Sequence, residues 1–226
     1  MPVFNEQASI SNVVWDWFGM LDSHVADFIL LAINDGSTDD TERILKSLAA
    51  ELGPKLEIIS RPNRGHGQSC IEGYRIAVER NIPFILQIDS DGQSDPRYFA
   101  EFWQQRDRFD VIYGKRCRQD GFRRIVASSI LRILLRVLVG ADCVDANVPY
   151  RVINARACTS AIESVPTDVY LANIVLAVLL KKDPTIRHGQ LPIGFPPRLG
   201  GEPSVPFTKF AAKGIELFAQ LKKSGI

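Results

Sequence analysis

The chain has 226 residues, 46% of them hydrophobic and 23% charged, a composition ordinary for a globular protein with a substantial core. Its formal net charge is +1, so no global field selects nucleic acid or an acidic polymer as partner. The four cysteines (Cys70, Cys117, Cys143, Cys158) and three histidines (His24, His66, His188) form no C-x-x-C pair and no zinc-like spacing, so reduced thiols in a cytosolic protein are expected. Met1 leads into Pro2-Val3-Phe4-Asn5-Glu6 without a basic start and apolar run, which predicts no signal peptide. The apolar runs 28–33, 133–139 and 174–180 all fall short of the roughly 20 residues needed to span a bilayer.

In chain order, the pattern predicts a helix over 7–21, a strand over 28–33, a helix over 39–51 and a strand over 56–60. A helix over 67–80, a strand over 84–88, a helix over 96–106 and a strand over 111–113 follow. The helix at 39 is opened by Ser37-x-x-Asp40, which resembles a capping box. Further on come a long helix over 122–139, a turn at Asn147-Val148-Pro149 and a strand over 150–153. Two helical segments, a strand over 186–193, a Pro/Gly-rich loop over 196–206 and a helix over 208–223 complete the chain. Alternation of strands and helices predicts an α/β protein with a largely parallel, helix-flanked sheet. The strand that should precede the Pro2-to-Glu6 turn is almost missing, so either the natural protein begins earlier or another segment replaces that strand.

The strongest local signal is Gln87-Ile88-Asp89-Ser90-Asp91-Gly92-Gln93, a β-rich run ending in two carboxylates one residue apart. Residues i and i+2 of an extended backbone point the same way, so Asp89 and Asp91 are expected to converge at the carboxyl end of the strand. That rim is where α/β sheets bind ligands. Oxygen ligands of this kind suit Mg²⁺ or Mn²⁺, which commonly take one or two carboxylates plus substrate phosphates. An ordinary solvated turn fits an isolated Asp-x-Asp equally well.

Asp35, in Ile33-Asn34-Asp35-Gly36-Ser37, stands at another strand end on the same rim. It either bonds its own turn or accepts a hydrogen bond from a nucleotide base or ribose. Between these sites lies Arg61-Pro62-Asn63-Arg64-Gly65-His66-Gly67-Gln68-Ser69, a glycine-rich loop whose backbone N–H groups could face a diphosphate. Cys70 replaces the third glycine of a dinucleotide fingerprint and no P-loop lysine is present, so a plain turn and helix start is the competing reading.

Pro2-Val3-Phe4-Asn5-Glu6, Asn34-Asp35-Gly36-Ser37-Thr38-Asp39, Asn63-x-Gly65-x-Gly67 and Asp89-Ser90-Asp91-Gly92-Gln93 occur in the order and spacing of family 2 glycosyltransferases. From residue 2 to about residue 206 the chain resembles the dolichol-phosphate mannosyltransferase-like, polyprenyl-phosphate sugar transferase branch. The resemblance implies a GT-A fold, meaning a Rossmann-like, mostly parallel sheet flanked by helices with an irregular C-terminal acceptor region. It also implies inverting transfer from a UDP- or GDP-sugar with Mg²⁺ or Mn²⁺. Pro2, Asn5 and Glu6 then sit on the turn beside the nucleotide, Asp35 contacts the base, and Gly65 and Gly67 belong to the donor-binding loop. Asp89 and Asp91 become the metal and diphosphate carboxylates. Asn34 departs from the acidic residue usual there and is given no catalytic duty. Arg198, in Arg198-Leu199-Gly200-Gly201-Glu202-Pro203-Ser204, resembles the loop that folds over the diphosphate, with an irregular surface loop as the alternative. Asp145-Ala146-Asn147-Val148-Pro149-Tyr150-Arg151 matches an acidic turn followed by an aromatic and an arginine. Its Asn147-Val148-Pro149 departs from the usual Ser-Gly-Phe type and leaves substrate identity open.

On the acceptor side, Arg124, Ser128, Arg132 and Arg136 share i, i+4 spacing and form a cationic stripe opposite an apolar face. The helix either packs on the sheet with solvated arginines or lies in the interface of an anionic membrane. In the resembled branch an arginine after the last central strand and an Arg/Ser pair on the next helix bind the lipid phosphate. Arg116 fits the first place, Arg123 or Arg124 the second and Ser128 the third; a guanidinium fork suits phosphate. A phosphate acceptor has a second pKa of about 6 and attacks without a strong base. A sugar hydroxyl needs one, for which Asp145 ranks ahead of Asp168, a helix-cap candidate.

The expectation is one domain over 1–226, with a nucleotide-sugar-binding half at 1–115 and an acceptor half with a C-terminal helix at 116–226. Its partners are a nucleotide sugar and a polyprenyl phosphate, with no nucleic acid, and its place is cytoplasmic, peripheral on the inner face of the membrane. The alternatives are transfer to a saccharide hydroxyl, a nucleotidyltransferase, and a non-catalytic nucleotide-binding subunit.

Overall fold

A computed structural model describes residues 1–117, 132, 136–137, 140, 146–165, 171–194 and 196. The elements in order are β1 (Pro2–Val3), α1 (Ile10–His24), β2 (Leu30–Asn34), α2 (Thr41–Leu52), β3 (Leu56–Ser60) and α3 (His66–Glu79). They continue with β4 (Phe84–Gln87), α4 (Phe99–Gln105), β5 (Val111–Arg116), β6 (Arg151–Asn154), α5 (Ala155–Glu163), α6 (Ala172–Lys182) and β7 (His188–Ile193). The α/β alternation read from the sequence is therefore present, with strand ends shifted by up to three residues.

The strands form two sheets. One is parallel, in the order β1-β2-β3; the other has the order β4-β6-β5-β7. In the second sheet β5 and β7 are parallel, but β6 runs antiparallel to both β4 and β5. The expected mostly parallel sheet thus carries one reversed strand. The almost-missing first strand appears as two residues, Pro2 and Val3, pairing with Ile33 and Asn34. So short a strand meets β2 alone, and the described strands group as two sheets.

The apolar runs pack as their periodicity requires. Ile10, Val14 and Trp17 on α1, Leu45 on α2, and Phe99 and Phe102 at α4 are buried in one cluster with β1–β3. Ile71 and Tyr74 on α3, Cys158 on α5 and Val175 on α6 bury the other cluster against Val111 and Ile153. Trp17 reaches across to Tyr150 beside β6, with ring centroids 5.6 Å apart.

Two start signals differ from expectation. Helix α1 begins at Ile10 rather than near residue 7, because the buried Glu6 accepts from Ser9 Oγ at 2.8 Å and holds 6–9 as a turn. Ser37 does not cap α2. Its hydroxyl accepts from Asn5 N at 3.0 Å, while Asp39 Oδ1 takes the Thr41 N–H at 3.0 Å. The expected helix over 96–106 divides into a 3-10 turn, Pro96–Tyr98, started by Asp95 accepting from Arg97 N, and then α4.

The start of β5 is tied to the start of β7. Asp110 accepts from Arg187 Nε and NH2, each at 3.0 Å, and from Arg187 N at 2.9 Å. The hydrogen bond from Arg187 is the main cause holding the Asp110 carboxyl below its ordinary value. A depressed folded-state pKa contributes stability above the unfolded pKa and loses it as pH falls through the folded one. Asp110→Asn is therefore expected to be less stable than wild type at pH 7. The gap in urea midpoint should close as pH drops below the ordinary carboxylate range; a constant gap would refute the assignment.

No helix among the described residues is long and apolar enough to cross a membrane. Of the expected helix over 122–139, Arg132, Arg136 and Val137 are described and helical, Val137 being 74% exposed. Arg123, Arg124, Ser128, Asp145, Asp168, Arg198 and the helix expected over 208–223 lie outside the described residues.

Candidate active site

Topology gathers the motif residues. Because β1, β2 and β3 are parallel, the segments beginning at Phe4, Asp35 and Arg61 all leave the same edge. Strands β4 and β5 both run antiparallel to β6, so they are parallel to each other, and Gln87 and Tyr113 pair with the same residue, Arg151. Asp89 and Arg116 accordingly leave the second sheet on one edge.

Side chains then lash these loops together. Asn5, at φ +53°, adopts the left-handed backbone that asparagine tolerates. Its Oδ1 accepts from Thr38 N at 2.8 Å. Glu6 N donates to Thr41 Oγ1 at 2.8 Å and Gln7 N to Asp39 Oδ2 at 3.2 Å. Pro2, in β1, is buried. Gly36, at φ +71°, allows the 61–63 loop to pass: an added Cβ would stand 2.7 Å from Asn63 N.

Asp35 is 2% exposed and faces the glycine-rich loop. It accepts from Arg64 N at 2.9 Å and Gly65 N at 2.8 Å, and its Oδ1 lies 3.0 Å from Arg61 NH1. Arg61 in turn meets Glu72 at 2.5 Å. A buried carboxylate requires such donors. Two N–H groups expected to face a diphosphate are thus directed at Asp35 instead. Gly65, at φ +91°, is the N-cap of α3, and Gly67 is buried in its first turn.

Asp89 and Asp91 lie past the last residue of β4, in a bend containing Gly92 at φ +78°. The loop's own hydrogen bonds, beyond the end of the strand ladder, hold this segment. Asp91 is 7% exposed and its Oδ1 accepts from Gln93 N at 3.0 Å. Asp89 N donates to Ser94 Oγ at 3.3 Å, and Ser94 O receives the indole N–H of the buried Trp17 at 3.1 Å.

The sequence reading passed over His66. Its Nε2 stands 3.1 Å from Asp89 Oδ1, joining the loop after β3 to the loop after β4. Cys70, one turn along α3, lies 3.7 Å from His66 Nδ1. The Cys70 sulfur and then the Asp89 carboxylate raise the imidazole pKa well above its usual value, against the opposing effect of burial. A lone histidine inside N-x-G-x-G carries no periodic signal, so only its place between two motif glycines could have flagged it.

Arg151 was also unassigned. It is fully buried, and its guanidinium donates to the carbonyls of Ala146, Val148 and Asn173. Gln87, opposite it on β4, accepts from Tyr74 Oη at 2.5 Å and donates to Asn173 Oδ1 at 2.8 Å. Burial pushes the Tyr74 phenol well up, which keeps it a neutral donor. This polar net underlies the start of the Asp89 loop.

The donor set fits a hard divalent cation: two carboxylates in one short loop, just past the end of β4. Among the described residues no cluster of three His, Cys, Asp or Glu side chains forms a protein-only cage. An ion sharing one or two carboxylates with a diphosphate needs no such cage.

With this geometry established, comparison with known proteins defines the class. The family model described as "Glycosyl transferase family 2" matches residues 1–150, and the chain belongs to that family. An undecaprenyl-phosphate 4-deoxy-4-formamido-L-arabinose transferase of Edwardsiella ictaluri is 24% identical over 148 residues, 64% of this chain and 45% of that protein. An undecaprenyl-phosphate mannosyltransferase of Micrococcus luteus is 25% identical over 162 residues, 69% of this chain and 65% of the relative. The chain thus spans about half to two thirds of the length of these relatives. Among solved structures, glucosyl-3-phosphoglycerate synthase from Mycobacterium tuberculosis, in complex with Mn²⁺, UDP and phosphoglyceric acid, superposes with TM-score 0.72 at 19% identity. That match covers 100% of this chain and 77% of the other, and it shows the GT-A fold.

Proposed function

We propose that this chain transfers a sugar, with inversion, from a UDP- or GDP-sugar to a polyprenyl phosphate, assisted by Mg²⁺ or Mn²⁺. The observation that supports the reading is the lashing of the loops after β2, β3 and β4, from the two sheets, through Asp35 to Gly65 N and His66 to Asp89. The family, and the names of two relatives as undecaprenyl-phosphate sugar transferases, support it.

In this reading Asp89 and Asp91 would hold the cation, which when bound would supply positive charge toward the departing nucleoside diphosphate. Asn5, Glu6 and the Asp35–Arg61 pair shape the nucleotide side, Pro2 supports it from β1, and Gly65 and Gly67 allow backbone approach. Arg198 closes over the diphosphate. Arg116, at the end of β5, leads to the acceptor side, where Arg124 and Ser128 complete the phosphate contacts. The lipid phosphate attacks as its own dianion and needs no strong base; Asp145 would serve as base only toward a saccharide hydroxyl. The chain works in the cytoplasm as one domain over 1–226, in peripheral contact with the membrane's inner face.

The test is a product assay with UDP- and GDP-sugars, Mn²⁺ and undecaprenyl phosphate. Nucleoside diphosphate should appear, in step with glycolipid and only when the lipid phosphate is present. Pyrophosphate release would identify a nucleotidyltransferase, and nucleotide binding without any turnover would identify a binding subunit.

A further inference from the structure

We infer that His66 is a positioning residue for Asp89: its Nε2–H holds Oδ1 and thereby sets how that carboxylate is presented to the cation and diphosphate. The inference rests on the sugar-transfer reading above and adds a residue to it.

Three observations combine. His66 is the first residue of α3, a 14-residue helix, so the ring hangs from a fixed backbone at the glycine-rich loop. Cys70 Sγ lies 3.7 Å from Nδ1 and 3.9 Å from Nε2, so it packs against the ring near both nitrogens. Nε2 meets Asp89 Oδ1 at 3.1 Å, across 23 positions of sequence. A carboxylate held at one oxygen no longer turns freely about its Cβ–Cγ bond, and the direction of its second oxygen follows. Such partners behind a metal-binding side chain reduce the ordering needed when the ion binds.

The arrangement is separable from folding. The His66 side chain is 44% exposed, so its truncation opens no sealed cavity in either core. The connection runs between loops rather than within one, which distinguishes it from an ordinary helix-start contact.

Calorimetric titration of UDP and of GDP, each with Mn²⁺ and with chelator, tests the inference on wild type, His66→Ala and His66→Gln. His66→Ala should weaken Mn²⁺-dependent binding by about 10- to 100-fold. Chelator-state nucleotide binding should stay at its wild-type value. His66→Gln, whose amide N–H reaches in the same direction, should recover most of the loss. Equal Mn²⁺-dependent affinity in wild type and His66→Ala overturns the inference alone. So does a parallel fall in melting temperature and in cation-free binding, which marks a structural role. Direct coupling between bound Mn²⁺ and ¹⁵N-labelled histidine, lost in His66→Gln, would make His66 a ligand and also overturn it. A wild type that binds neither nucleotide with Mn²⁺ removes the sugar-transfer reading first, and this inference with it.

Discussion

Asp91→Asn is expected to lower sugar transfer by roughly 10³-fold, equivalent to about 4 kcal/mol of transition-state stabilisation. The substitution keeps an oxygen that can accept from Gln93 N, now at 3.0 Å from Oδ1, and removes only the charge. The loop should therefore retain its shape while the site loses half of its carboxylate pair. Melting temperature should stay close to wild type. Nucleoside diphosphate release, followed with saturating Mn²⁺, is the measurement. Asp89→Asn should show a similar loss, with the added effect of changing what His66 meets. Wild-type turnover by Asp91→Asn would remove the cation from this loop and with it the proposed chemistry.

Arg151→Met should have the largest effect on stability. The buried guanidinium supplies donors to the carbonyls of Ala146, Val148 and Asn173, and it lies 5.3 Å from the Tyr113 ring centroid. An unsatisfied buried acceptor costs about 1–3 kcal/mol, so losing these donors together should cost roughly 3–5 kcal/mol. That approaches the whole stability of a marginal domain, about 5 kcal/mol at the low end. Urea denaturation should show the loss, or the variant should fail to accumulate as folded protein. Arg151→Lys should be intermediate, because one ammonium reaches fewer of the carbonyls. A midpoint unchanged in Arg151→Met would mean that water replaces the guanidinium without penalty.

The element pattern was legible where apolar runs are short and bounded. The strand at Leu56–Ser60 was read to the residue, and β4 fell within one residue of its expected end. Strand direction was not legible at β6, since Arg-Val-Ile-Asn reads alike either way and only its neighbours decide. Ser37 looked like a cap because local spacing suggested it; Asn5, far away in sequence, claims its hydroxyl instead. For the candidate site, Asp35, Asp89 and Asp91 just past strand ends and Gly65 at a helix start were legible through their motifs. His66, Arg61 and Arg151 were not assigned, because each acts through partners brought near by folding. Strand pairing ends at Gln87, so the hydrogen bonds of the loop beyond it, which only folding reveals, hold Asp89 and Asp91.

Strand β6 bears on how the molecule divides. It comes from the later part of the chain, yet it lies between β4 and β5, both from the earlier part. Withdrawing it would leave those two strands about 9.6 Å apart, twice the normal interstrand spacing, with facing ladders unpaired. The stretches before and after residue 115 are therefore interleaved like fingers, so cutting there would split one sheet between two pieces. A displacement of residues 151–154 would therefore be felt at Gln87, the base of the carboxylate loop.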